Sequence, residues 1–141
     1  MKTRWLVTAS LAFASFVTPG PAQDEQRAQQ DAAYKKLMQA AGAASASINK
    51  NIESDLTAVG SDAGKLIETF DQVENYWINR ELEEPQTFSQ DVMDAAEELA
   101  EAASMGDRAA AQAALKNMTA YCTQCHNAYR EELPGGGYRI K

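Results

Sequence analysis

Cys122-Thr123-Gln124-Cys125-His126 holds both cysteines and the only histidine of the 141-residue chain. Read as C-x-x-C-H, it is the attachment signature of a c-type haem. Two thiols three residues apart lie on one helix face, where each can add to a porphyrin vinyl group and form a thioether. The next residue, His126, then offers its imidazole to the iron.

Three other readings of the pentapeptide stand beside this one. A thiol-disulfide centre would use the same two cysteines but normally sits in a βαβ context. A structural zinc site would need four ligands, and Cys122, Cys125 and His126 are the only thiol or imidazole groups in the chain. An accidental cluster is the blandest reading.

Working outward, the chain opens on Met1 to Ala22, which reads as a secretory signal peptide. Lys2 and Arg4 form a basic start, Trp5 to Val17 is a short apolar run, and Thr18-Pro19-Gly20-Pro21-Ala22 precedes an expected cleavage after Ala22. The apolar run is short for a membrane span and no second one follows, so no stable insertion is expected after cleavage. Export fits the motif, because haem is coupled to C-x-x-C-H outside the bacterial inner membrane; the expected location is the periplasm.

Residues 23–141 are the size of one domain with one core. Without Lys2 and Arg4 they carry 11 basic and 20 acidic residues, a formal net charge of −9. That balance argues against nucleic-acid or anionic-lipid binding and for soluble encounters with basic partners, or for a surface that only solubilises.

The remaining pattern predicts four helices and almost nothing else. The first runs from about Asp24, as N-cap, to about Asn51, with Tyr34, Leu37, Met38, Ala41, Ser45, Ile48 and Ile52 on one stripe. The second spans about Ser54 to Asn79 and buries Leu56, Val59, Ala63, Leu66, Ile67, Phe70, Val73 and Trp77. After a polar connection, Arg80 to Pro85, Thr87-Phe88-Ser89-Gln90 reads as a capping box for the third helix, which presents Phe88, Val92, Ala95, Leu99 and Ala102 and closes at Gly106. Asp107 caps the fourth, whose seam of Leu115, Met118, Cys122, Cys125 and Tyr129 makes the cysteines core positions. Pro134-Gly135-Gly136-Gly137 stops it and leaves Tyr138 to Lys141 as a short tail. Long helices joined by short loops predict an all-α, antiparallel up-down-up-down four-helix bundle.

No catalytic constellation accompanies this frame, and no enzyme is expected. With one histidine there is no triad and no bis-histidine haem. Glu83-Glu84 and Glu97-Glu98 are sequence neighbours that do not converge on one helix face.

A four-helix bundle with C-x-x-C-H near the end of the last helix, continuing as His126-Asn127-Ala128-Tyr129-Arg130, resembles the class II cytochromes c: the cytochrome c prime family and its low-spin relatives. The likeness is most specific from Met105-Gly106-Asp107 to Arg130 and in Leu37-Met38-Gln39. The connection between the second and third helices is shorter than is typical of the family and the tail from Leu133 is longer, which bears on subfamily and on packing into a homodimer.

The resemblance implies one covalent haem c on Cys122 and Cys125, His126 as proximal ligand, and Arg130 close to the proximal haem face, where the alternative is a surface arginine favoured by the helix C-terminus. In the family the sixth iron position is filled from the first helix, by an apolar residue or by methionine. Met38 is the candidate, followed by small residues, Ala40 to Ala44, that leave room for a porphyrin. With the end of the first helix level with the start of the fourth, Met38 and His126 differ in height by six residues, about 9 Å, and their side-chain tilts narrow the gap. Ordinary core filling is the alternative for Met38. Three functions follow: a one-electron carrier serving periplasmic redox partner proteins, a five-coordinate haem protein that captures a small gas such as nitric oxide or carbon monoxide, or, with the cysteines free, a thiol oxidoreductase.

Overall fold

The computed structural model describes residues 20–141 and shows four helices: α1 (Pro21–Asn51), α2 (Leu56–Ile78), α3 (Glu83–Ser104) and α4 (Arg108–Tyr129). A two-stranded hairpin follows, β1 (Arg130–Glu132) and β2 (Tyr138–Ile140). The expected signal segment, residues 1–22, lies outside the described residues except for its last three. No helix among the described residues is long and apolar enough to cross a membrane.

Consecutive helices pack against each other, α1 on α2, α2 on α3 and α3 on α4. Short connections force antiparallel neighbours, so the bundle runs up-down-up-down. Its interior is filled by Ile48, Val59, Leu66, Val73, Trp77, Val92, Leu99 and Met118, with fully buried alanines such as Ala63, Ala96 and Ala111 between them. The expected stripes of α2, α3 and α4 supply most of this core.

Helix ends follow local chemistry, and two differ from the sequence reading. Asp55 and Asp107 cap α2 and α4 by accepting from Ala58 N and Ala110 N, each at 3.0 Å. Gly106 takes φ 72° to close the turn before α4. Helix α1 begins at Pro21 behind Gly20 rather than at Asp24, since proline suits the first helical position. Helix α3 begins a turn before the expected capping box, at Glu83. Its Pro85 sits in the first turn, where no N–H is needed, Glu83 and Glu84 suit the positive helix end, and Thr87 donates instead to the Glu83 carbonyl within the helix.

The tail is the larger surprise. Arg130 pairs with Ile140, Glu131 with Arg139 and Glu132 with Tyr138 in antiparallel register. Gly135, Gly136 and Gly137 all take positive φ, which lets the chain reverse within a few residues.

Leu99→Ala is expected to cost about 2–5 kcal/mol, because it empties a fully buried site in α3. Ile78→Ala, at a residue 48% exposed, should stay within about 0.5 kcal/mol. Urea unfolding checks both, as a lower midpoint at unchanged slope for the first only.

Candidate haem site

At the end of the bundle where α4 finishes, an open groove is lined by all four helices. Its floor is apolar and buried: Phe70 and Val73 from α2, Val92 and the Ser89 hydroxyl from α3. Ser89 is spoken for, donating to the Pro85 carbonyl at 2.9 Å. Tyr34 and Met38 of α1 form one half-buried rim, and Cys122, Cys125 and His126 of α4 form the other.

The groove exists because α1 and α4 hardly approach each other along most of their length. They touch at the opposite end, where Arg108 donates to the Ile52 carbonyl and Gln112 to the Glu53 carboxylate. This also shows that the end of α1 is level with the start of α4, as the height comparison of Met38 and His126 assumed.

The seam of α4 therefore splits. Leu115 and Met118 are buried in the core, but Cys122 and Cys125 are half-buried at the rim, because no helix closes over them. Small residues of α1 divide in the same way. Ala41 and Ala44 pack into the bundle, whereas Gly42, one turn past Met38, faces open space in which a Cβ would meet no atom within 4 Å.

An aromatic cluster walls the upper end. Tyr34 lies 4.2 Å from Tyr76 and 5.4 Å from Trp77, and Trp77 lies 5.5 Å from Tyr129, measured between ring centroids. Asp31 of α1 anchors it by accepting from the Tyr76 hydroxyl at 2.8 Å and from Arg80. Tyr129 donates to Glu84, whose carboxylate pushes its phenol up to about 12.

Burial, followed by Cys122 and Glu84, pushes the Cys125 thiol up to about 11, and burial also raises Cys122. Reactive redox cysteines carry the opposite shift, so burial leaves this pair unlike the thiols of a thiol-disulfide centre. His126 is held below its ordinary range, first by burial and then by the Arg130 guanidinium. Its imidazole therefore stays neutral, the form that binds a metal. Among the described residues no three histidine, cysteine, aspartate or glutamate side chains converge as a set of metal ligands.

The donor set fits a covalently held haem: two protonated thiols on one helix face, a neutral imidazole beside them, an apolar floor and a sulfur on the opposite rim. Arg130 differs from expectation in leaving the helix. It is the C-cap of α4, its N–H bonded to the His126 carbonyl, and its Nη1 lies 3.4 Å from His126 Nδ1. The groove residues Tyr34, Phe70, Val73, Phe88 and Val92 were visible in the sequence only as members of helical stripes.

A family model described as Cytochrome C' matches residues 25–130. No curated protein and no solved structure matches the chain.

In the haem-free chain His126 should titrate below 6.5 by NMR, and Arg130→Ala should raise that midpoint without restoring it fully, because burial is the larger cause. A histidine whose folded value is depressed favours the native state above its unfolded value. Stability of the haem-free chain should therefore fall as pH drops below about 6.5, and His126→Gln should flatten that slope.

Proposed function

The chain belongs to the Cytochrome C' family of haem-binding cytochromes, and on that premise we propose that it is an exported, periplasmic mono-haem c-type cytochrome that carries single electrons and is not an enzyme. The observation that carries this reading is the groove that places Met38 across from Cys122, Cys125 and His126.

Cys122 and Cys125 would hold haem c by two thioethers, His126 would supply the proximal nitrogen and Met38 the opposite sulfur. When bound, the group supplies a one-electron iron couple, whose potential a Met/His pair raises. The chain does the rest. Phe70, Val73 and Val92 keep the floor dry, and Met38 of α1 and His126 of α4 would hold the group from opposite rims. Residues placed to hold the group from both rims would suit a carrier that exchanges single electrons with periplasmic redox partner proteins.

The acidic surface supports basic partners. Helix α3 carries Glu83, Glu84, Asp91, Asp94, Glu97, Glu98 and Glu101 and no basic residue. A homodimer is compatible with this reading, which does not depend on it. The competing reading is a five-coordinate iron that captures nitric oxide or carbon monoxide in the same apolar groove. It requires Met38 to be a filler only.

The resting absorption spectrum separates the two. The proposal expects colour retained on the denatured chain, a low-spin spectrum and slow reaction with carbon monoxide. Met38→Ala should turn the protein high-spin and open to carbon monoxide, lower its potential and cost roughly 0.5–3 kcal/mol of stability. A high-spin resting spectrum that Met38→Ala leaves unchanged would establish gas capture instead.

A further inference from the structure

The hairpin lies almost wholly beyond the family match, which ends at Arg130, yet it reaches the site. Its register puts Arg130, Glu132, Tyr138 and Ile140 on one face and Glu131 and Arg139 on the other. Glu131 and Arg139, directly opposite, form an ion pair at 2.6 Å. Arg130 and Tyr138 are diagonal neighbours, a separation that a long side chain and a ring can span. The Arg130 guanidinium carbon lies 3.0 Å from the Tyr138 ring centroid. The same guanidinium is 3.4 Å from His126 Nδ1.

We propose that Tyr138 is a positioning residue: its ring seats the Arg130 cation beside His126 and thereby raises the reduction potential of the bound haem. The inference rests on the reading of His126 as an iron ligand. A guanidinium has only donors, so here it faces the Nδ1 lone pair. With the other ring nitrogen on iron, a neutral imidazole carries its proton on Nδ1, and the two donors no longer attract. Arg130 then needs another hold to stay close.

The face of Tyr138 supplies it, since a cation over an aromatic ring is attracted without needing a lone pair. A fixed positive charge beside the imidazole disfavours the more positive ferric state, so it favours reduction. Glu131 and Arg139 cancel each other on the far face of the hairpin. Lys141, bound to the Asn127 carbonyl at 3.0 Å, is a second cation whose hold does not involve Tyr138.

The test uses the haem-loaded full chain and reads reduction potential by equilibrium titration, with the thermal midpoint measured alongside. Tyr138→Leu should lower the potential, by about three- to tenfold in the reduction equilibrium, tenfold being about 59 mV for one electron. Arg130→Gln should lower it at least as far. Tyr138→Phe, which keeps the ring, should leave it unchanged, and adding Tyr138→Leu to Arg130→Gln should lower it no further.

An unchanged potential in Tyr138→Leu, or an equal drop in the Arg130→Gln background, would overturn the inference while leaving haem ligation intact. An unchanged potential in Arg130→Gln would overturn it too, even if Tyr138→Leu failed to fold. A wild-type chain that keeps no haem on denaturation would overturn the functional reading, and this inference with it.

Discussion

The guanidinium of Arg108 reaches from the start of α4 to the Ile52 carbonyl at the end of α1, and one turn on Gln112 holds Glu53. These contacts tie the first and last helices together at one end. At the other end α1 is held through Tyr34 and Asp31 to Tyr76 of α2 and to Arg80 just beyond it, not to α4. A bundle pinned in this way leaves a gap along its fourth side. Because Val73, Val92 and Phe70 form the floor of that gap, it is apolar, and an apolar group that fills it gains from the surface it removes from water, about 25 cal/mol per Å².

The three chemical groups of α4 take their properties from the same gap. They are too enclosed for water to favour a charged form, which raises both thiols and lowers the imidazole. They are too open to be core. A helix packed on both sides would have buried Cys122 and Cys125 as it buries Met118. The rim position leaves the two sulfurs and the imidazole lining the gap rather than packed into the core.

Much of this was legible in the sequence, because helical period and caps are local. Leu66, Val73, Trp77, Val92 and Leu99 repeat at intervals that only a buried helix face explains, and Asp107 announces α4 in one residue. Pro85 misled because proline marks both the end of a connection and the first turn of a helix, and only the packing of α3 on α2 decides between them. The hairpin was missed for a related reason. Tyr138-Arg139-Ile140 is too short to read as a strand alone, and its partner Arg130-Glu131-Glu132 reads as the last turn of a helix. The complementary pair Glu131 and Arg139, spaced across a run of glycines, was the signal available. Likewise, no helical stripe could show that α1 stands away from α4, since that is a property of two helices and not of either.

Uneven packing also divides the bundle by local stability. Helices α2 and α3 have packed neighbours on two sides, whereas α1 rests mainly on α2 and α4 mainly on α3, and the residues of the first three turns of α1 lie largely in solvent. Amide protons report such differences as a spread of opening free energies, lowest where few apolar contacts are lost. The amides of α1 should accordingly exchange earliest and those of Val73 and Leu99 near the limit set by global unfolding. A chain built this way opens from its outer helices inward, while the α2–α3 pair at its centre keeps the fold together.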